Sequence, residues 1–346
     1  MQVIQATRLR SLTLQIFQAA GASEEDSTIV TDHLIEASLA GVDSHGLLRV
    51  PEYVGKLKRW STGDTTSRIN PNPSLTVSRE TDTTAVLDGD WCFGQVCATK
   101  AMNMAMGKAA SHNIGVVTGK HTDHVGRAAS YPLMAASEGM VGIMFVKVNP
   151  VMVPFGGRSR LLGNNPISVA IPTGTDMPIV VDIATSVVAG GKIMLAMDEG
   201  RSIPEGWALD ADGNPTTNPR DFMEGGALIP FGQHKGFALS IVNEVLGGIM
   251  SGAGALFHFS GNNAFMCMAL KVDAFVPLAE FERDVAQMVR EIKESPKSSG
   301  TSAILIPGEP EFETKRIREK TGIPLPDKTW DDIRAIASEL NVKYTS

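Results

Sequence analysis

The sequence predicts an α/β protein, a central body of strands and helices flanked by a helical lobe built from both termini. Three observations carry this. Apolar residues follow the 3.6-residue period over residues 7–41 and again over 278–294. Between them lie short apolar, β-branched runs of strand length, separated by helical stretches. A chain of 346 residues is also about twice a typical domain, and three parts are expected: 1–73, 74–277, and 278–346 packing back on the first.

Leu9, Leu12, Ile16 and Phe17 stripe the first helix, and Ile29, Val30, Leu34, Ile35 and Leu39 the second. Ser23, followed by Glu24, Glu25 and Asp26, reads as the N-cap of that second helix with favourable first-turn charge. Residues 41–63 form a loop and a third helix starting near Pro51, since proline suits a first helical turn. Leu75, Val77 and Ala85–Leu87 mark short strands, and Gln95–Ser111 is an alanine- and methionine-rich helix. Ile114–Val117, Val141–Val148, Ser168–Ile171 and Ile179–Val181 read as buried strands. Gly236–Ser251 is an apolar helix, Phe265–Val276 a strand region, and 278–294 an amphipathic helix striped by Phe281, Val285, Met288 and Ile292. The stretch KESPKSSGTS is a connector, and helices at Lys315–Lys320 and Asp331–Leu340 follow it.

Composition narrows the function. With 43% hydrophobic and 20% charged residues, wholesale disorder is excluded. A net charge of −7 without a Lys/Arg stripe argues against a nucleic-acid or anionic-membrane partner and leaves a small anionic substrate open. Cys92, Cys97 and Cys267 lack Cys-x-x-Cys spacing, which disfavours a disulfide framework and a cysteine zinc site and suits a reducing compartment. Neither a signal-peptide pattern nor a run of ~18 apolar residues occurs, so a cytoplasmic protein is expected.

The common nucleotide motifs are missing. No Gly-x-Gly-x-x-Gly stands between a strand and a helix, Gly252-Ala253-Gly254 reads as a helix C-terminal turn, and Gly190-Gly191-Lys192 lacks Walker spacing. Asp210–Asn214 is a turn rather than a calcium loop, and His33, His112 and His258 read as structural or surface histidines.

Three stretches look chemical. In residues 41–53, His45, Arg49 and Tyr53 fall at i, i+4 and i+8, sharing a face if the lead-in to Pro51 is helical. Imidazole, guanidinium and phenol are what a 2-oxo or 2-hydroxy acid site needs: a proton-transfer group, a fork for the carboxylate and an orienting hydroxyl. Ser44 is placed to fix the imidazole; the alternative is that Asp43 or Ser44 merely caps an exposed helix. The second stretch, His121 to Arg127, follows a strand and precedes a helix, where α/β proteins place ligand contacts. It makes His124 a site residue, with metal binding by His121-x-x-His124 the alternative. The third pairs the turns at Gly156-Gly157 and Gly163-Asn164-Asn165, which either hold an anionic group or are tight turns only.

Eight segments together, DSHGLLRVPEYV, HVGR, VPFGG, LLGNNPISVAIPT, PIVVDIATSVVAGGK, PEGWALDADGNPTT, GALIPFGQHKGFALSIVNEVLGG and IPGEPE, resemble the malate/L-lactate dehydrogenase-like oxidoreductase family, in that family's order over residues 41–311. The resemblance implies an NAD- or NADP-dependent enzyme with a non-Rossmann, mixed-sheet cofactor domain, and a homodimer or larger homo-oligomer with its site near a subunit interface. It implies His45 as acid/base supported by Ser44, Arg49 on the substrate carboxylate, Tyr53 nearby, and His124 competing with His45 for the proton-transfer role. Asn164 falls near the substrate, where many relatives carry threonine. Cofactor contacts are implied for His124, Val125, Gly126, Ile183, Ala184, Thr185, His234, Lys235, Gly308, Glu309 and Pro310, with no metal. The expected reaction is hydride transfer between NAD(P)H and C2 of a small 2-oxo/2-hydroxy acid; the alternative within the family is reduction of the C=N bond of a cyclic imino acid. A metal-dependent hydrolase using His121 and His124 and a non-catalytic acid-binding protein are the rivals outside it.

Overall fold

The computed structural model describes residues 1–63, 68–259 and 261–343. At the N-terminus, β1 (Gln2–Ile4) leads into α1 (Ala6–Ala19), α2 (Glu24–Leu39) and α3 (Val50–Ser61). The Ser23 hydroxyl accepts the Asp26 N–H at 3.1 Å, the expected N-cap of α2. Between α2 and α3 the chain makes two short 3₁₀ turns, Asp43–His45 and Leu47–Arg49, rather than an open loop. Neither Asp43 nor Ser44 caps a helix; Asp43 instead accepts from the Arg318 guanidinium at 2.6 and 3.1 Å.

The body follows as β2 (Thr76–Glu80), β3 (Thr84–Cys92), α4 (Gly94–His112), β4 (Ile114–Thr122), α5 (Ser130–Ser137), β5 (Met140–Val148), β6 (Ile167–Ile171) and β7 (Ile179–Ile183). A smaller unit contains α6 (Gly190–Asp198), β8 (Ala208–Leu209), β9 (Pro215–Thr216), α7 (Pro219–Met223) and β10 (Ala227–Leu228). Then come α8 (His234–Asn243), β11 (Asn263–Lys271), α9 (Leu278–Glu294), α10 (Glu309–Thr321), β12 (Ile323–Leu325) and α11 (Asp327–Glu339).

One sheet of seven strands, ordered β2-β3-β4-β11-β5-β6-β7, organises the body. Among the described strands of this sheet only the β3–β4 pairing is parallel, joined by the crossover helix α4; α5 likewise returns the chain so that β5 runs with β4, but β11 lies between them, antiparallel to both. Gly115 permits the close approach of α4 to β4, since a Cβ there would lie 1.9 Å from the Ala105 carbonyl oxygen. Leu9, Ile16, Phe17 and Leu34 from the first helices, Val96 and Met102 from α4, Val117 and Cys267 from the sheet, and Trp330 and Ile333 from α11 share one buried cluster. β1 pairs antiparallel with β12, Gln2 opposite Leu325, so the chain ends meet. The small three-stranded sheet β10-β8-β9 has its own core of Met152, Leu162, Ile193, Ile203, Phe222 and Leu228.

Several elements depart from their periodicity. The apolar run expected as a strand to Val276 leaves the sheet at Lys271, turns at Val272–Ala274 and leaves Phe275 77% exposed. The helix expected over 236–251 becomes a π-helical turn at Glu244–Ile249. The stripe of α9 is not buried: Met288 and Ile292 are exposed and Phe281 and Val285 half-buried. No helix among the described residues is long and apolar enough to cross a membrane.

Candidate active site

The 3₁₀ turns before α3 and the loop after β4 face each other across a cleft of about 1040 Å³. That is large for one small acid and leaves room for two ligands. Ser44, His45, Arg49, His124, Val125, Gly126 and Arg127 line it, together with Asp182–Ala184, Ile306–Gly308 and Pro310.

The two histidines meet here, with ring centroids 5.3 Å apart. His45 Nδ1 lies 2.9 Å from the Ser44 hydroxyl. Tyr53 does not line the cleft. It is buried behind His124, its hydroxyl 2.8 Å from His124 Nδ1 and accepting from Gln95 Nε2 at 2.9 Å. Burial pushes the Tyr53 phenol well above its ordinary value, so it keeps its proton and donates it to His124 Nδ1. The neutral His124 ring then carries its hydrogen on Nε2.

An ion ladder joins the two loops. Arg49 Nε donates to the Ser44 carbonyl at 2.7 Å and Nη1 to Glu52 at 2.6 Å. Glu52 also pairs with Lys56 at 2.8 Å, and the buried Lys56 ammonium donates to Asp123 Oδ1 at 2.9 Å. The same oxygen accepts the His124 backbone N–H and Asn262 Nδ2. Arg49, Glu52, Tyr53 and Lys56 stand at i, i+3, i+4 and i+7, so the start of α3 gives them one face. Beyond His124, the loop is pinned by Asn263 Oδ1 on Val125 N–H, by the Tyr131 hydroxyl on the Val125 carbonyl and by His33 Nε2 on Arg127 N–H. Gly126 has φ +73°, and any Cβ there would lie 2.2 Å from His33 Nε2.

The electrostatics keep the imidazoles neutral. Burial, and then the charges of Arg49 and Arg127, bring His45 down to about 4; burial and His45 lower His124, and burial brings His33 to about 3. Desolvation at the cleft wall raises the Asp182 carboxyl to about 6, although Ala129 N–H donates to it at 3.1 Å. Unfolded imidazoles titrate near 6.5, so below that pH the unfolded chain takes up protons that the folded chain refuses until about pH 4. The thermal midpoint is therefore expected to fall as pH drops from 6.5 towards 4, with a shallower fall in His33→Asn. Equal slopes in a pH series of melting curves would contradict this.

The remaining sequence candidates distribute unevenly. Asn164 lines the cleft, as do Ile183, Ala184, Gly308 and Pro310. Thr185 lies just behind the wall, fully buried, with its backbone N–H on the Asn164 carbonyl and no partner for its hydroxyl among the described residues. The Glu309 side chain turns away to Lys293 and to Ile306 N–H. His234 and Lys235, at the start of α8, do not line this cleft; His234 packs on Phe155. His121 pairs with Asp88 at 2.9 Å and stacks on Trp91 rather than joining His124, and no cluster of three metal-ligating side chains occurs among the described residues. Of the arginines after His124, Arg160 is held by the Gly226 and Phe222 carbonyls, and only Arg127 faces the cleft. Sequence reasoning missed Gln95, Glu52, Lys56, Asp123, Asp182 and Asn263.

A cleft of this size with paired imidazoles beside a guanidinium has the groups an enzyme needs, and the chain's relatives say of which class. The family model for malate/L-lactate dehydrogenase matches residues 4–334, and the chain belongs to that family. It is 39% identical to the malate dehydrogenase of Pyrococcus horikoshii over 97% of this chain and 95% of that one. It is 36% identical to the L-sulfolactate dehydrogenase of Methanocaldococcus jannaschii over 96% of each. A solved sulfolactate dehydrogenase structure from that organism superposes with a TM-score of 0.90 over 99% of this chain and 98% of that one, at 34% identity. The delta1-piperideine-2-carboxylate reductase of Pseudomonas syringae superposes with a TM-score of 0.86 over 97% of this chain and all of that one, at 26% identity. The protein is an oxidoreductase of the hydroxyacid dehydrogenase type, using a nicotinamide cofactor.

Proposed function

We propose that the chain interconverts a small 2-oxo acid and its 2-hydroxy acid, using NAD or NADP in this cleft. The observation that carries the reading is the convergence of His45, Arg49 and His124 on one cleft, the two imidazole rings 5.3 Å apart, with Gly126, Ile183, Ala184, Gly308 and Pro310 lining the same cleft. Gly126, Ala184 and Gly308 leave room in the lining for a dinucleotide, and the positive φ of Gly308, where a Cβ would meet Val180 at 2.9 Å, lets the chain turn close against that residue. When bound, the nicotinamide supplies or accepts the hydride at its C4 carbon.

The residues of the chain do the rest. Arg49, fixed by Glu52 and the Ser44 carbonyl, presents its free edge to the substrate carboxylate. His45, steadied by Ser44, carries the proton: kept neutral by burial, it is ready to accept one from the hydroxyl of a 2-hydroxy acid. His124, its Nδ1 held by Tyr53, points Nε2–H at the substrate oxygen and stabilises charge developing there. Asn164 borders the substrate, and His124, Val125, Gly126, Ile183, Ala184, Gly308 and Pro310 hold the cofactor, with Thr185 and Glu309 supporting that lining from behind, in a non-Rossmann domain, a reading supported by the single parallel pairing in the sheet. The parts 1–73 and 278–346 form the flanking lobe, a division supported by the β1–β12 pairing.

His234 and Lys235 complete the cofactor site from a second copy in a homodimer or larger assembly. This is supported by their standing outside the lining of the chain's own cleft and by exposed Ile241, Val242, Val245, Ile249 and Met250 nearby along the chain. Three free buried cysteines suit a cytoplasmic setting. The likeness to the piperideine-carboxylate reductase favours one second reading, reduction of a cyclic C=N bond. Absorbance at 340 nm with NADH and NADPH separately, against 2-oxo acids with and without methylamine, tests both. Oxidation by the oxo acid alone is expected; oxidation only with amine present favours the imine, and binding of neither cofactor overturns the reading.

A further inference from the structure

We propose that Lys147 and Glu244, a buried ion pair that does not itself line the cleft, are positioning residues that hold Asn164 at the substrate. This rests on the function proposed above. The Lys147 side chain, on β5, is fully buried; its ammonium lies 3.2 Å from Glu244 Oε1, donates to the Val148 carbonyl and stands 4.4 Å from the centre of the Phe259 ring. Glu244 opens the π-helical turn after α8. Gly247 and Gly248 let that turn lie close on the strand: a Cβ on the first would be 3.1 Å from the Lys147 backbone nitrogen, and one on the second 3.3 Å from the Lys147 Cγ. Leu256 N–H donates to the other Glu244 oxygen at 3.2 Å.

The pair grips the turn Gly163-Asn164-Asn165. Glu244 Oε1 accepts from Asn165 Nδ2 at 2.8 Å, the same nitrogen donates to the Ser240 hydroxyl at 3.1 Å, and Asn165 Oδ1 accepts the Val148 N–H at 3.0 Å. All three carbonyls of the turn are taken: that of Gly163 by the Ser240 hydroxyl at 3.2 Å, that of Asn164 by Thr185 N–H at 2.8 Å, and that of Asn165 by Asn243 Nδ2. The Asn164 amide is the group left over. It has no hydrogen-bond partner among the described residues, and Asn164 lines the cleft with His45 and Arg49. Its N–H groups can donate to the carboxylate or the oxo oxygen of a substrate anchored at Arg49. A buried ion pair adds little net stability, because desolvation of two charges offsets their attraction, but its directional hydrogen bonds select one arrangement of the groups around it. Here that arrangement is the turn that carries Asn164.

The test measures KM for the oxo acid, kcat, cofactor Kd by fluorescence titration and the melting temperature in the full-length enzyme. It compares wild type, the double substitution Lys147→Met/Glu244→Gln, and Ser240→Ala, each with and without Asn164→Ala. The double substitution removes both charges together and leaves no lone buried ion; Ser240→Ala trims one hydroxyl of the same net and gives the reading if the charge-free pair does not fold. KM is expected to rise about 10-fold in the first and about 3-fold in the second, while kcat and cofactor Kd change less than about 3-fold. In the Asn164→Ala background neither adds more than about 2-fold, because the group they position is gone. An unchanged KM in a folded variant, a loss spread equally over KM, kcat and cofactor affinity, or effects that multiply with that of Asn164→Ala overturn the assignment. If wild type turns over no oxo acid although the cofactor binds, the proposed function fails, and this assignment with it.

Discussion

Replacement of His45 by alanine is expected to lower kcat by roughly 10²- to 10⁴-fold, the usual contribution of a positioned acid/base, while the cofactor still binds. The expectation follows from the hydrogen bonding of the two imidazoles. Tyr53 accepts from Gln95 and has one proton to give, which goes to His124 Nδ1, so the cleft-facing Nε2 of neutral His124 is occupied by hydrogen and acts as a donor. His45 has only the Ser44 hydroxyl on Nδ1, a group that can either donate or accept, so its Nε2 is free to take up a proton. The two rings should therefore respond differently to glutamine, which donates a hydrogen bond but does not titrate. His124→Gln keeps a measurable fraction of turnover; His45→Gln behaves like His45→Ala. Stopped-flow turnover with cofactor binding measured in parallel decides it. Wild-type rates in the His45 variants, or a retained rate in His45→Gln with none in His124→Gln, would reverse the assignment.

Arg49→Lys is expected to reduce kcat/KM about 10- to 100-fold, mostly through KM. The guanidinium holds two protein oxygens, at Ser44 and Glu52, and still has donors for a substrate carboxylate. An ammonium at that position must choose between those partners and cannot offer a parallel pair of N–H groups. The substitution also loosens Glu52, the bridge to Lys56 and Asp123, so His124 is disturbed indirectly. Steady-state kinetics with a saturating cofactor check this; an unchanged kcat/KM would remove Arg49 from the site.

Much of this was legible in the sequence, for identifiable reasons. The Ser23 cap and the 278–294 helix are local, so side-chain type and period suffice. Ser44, His45 and Arg49 stood out because a polar turn lies between apolar helices, and His124 because it follows a strand. The support beneath them is not local: Lys56 meets Asp123 across 67 residues, His33 meets Arg127 across 94, and Asn263 meets Val125 across 138. Only the α3 part of that ladder left a signal, since Glu52 and Lys56 share the helical face of Arg49 and Tyr53. β1 and β12 are three residues each and exist by pairing with one another, which no window along the chain reveals. Hydropathy also cannot see where a strand leaves its sheet, hence the strand end at Lys271 with apolar residues continuing to Val276.

Hydride transfer at this cleft is tested most directly with reduced cofactor carrying deuterium at both C4 positions and the oxo acid that is turned over. Mass spectrometry of the product should find deuterium on C2 of the hydroxy acid, and His45→Ala should cut the rate of that transfer without changing where the label goes. Label released to water, or product formed without it, would contradict the account.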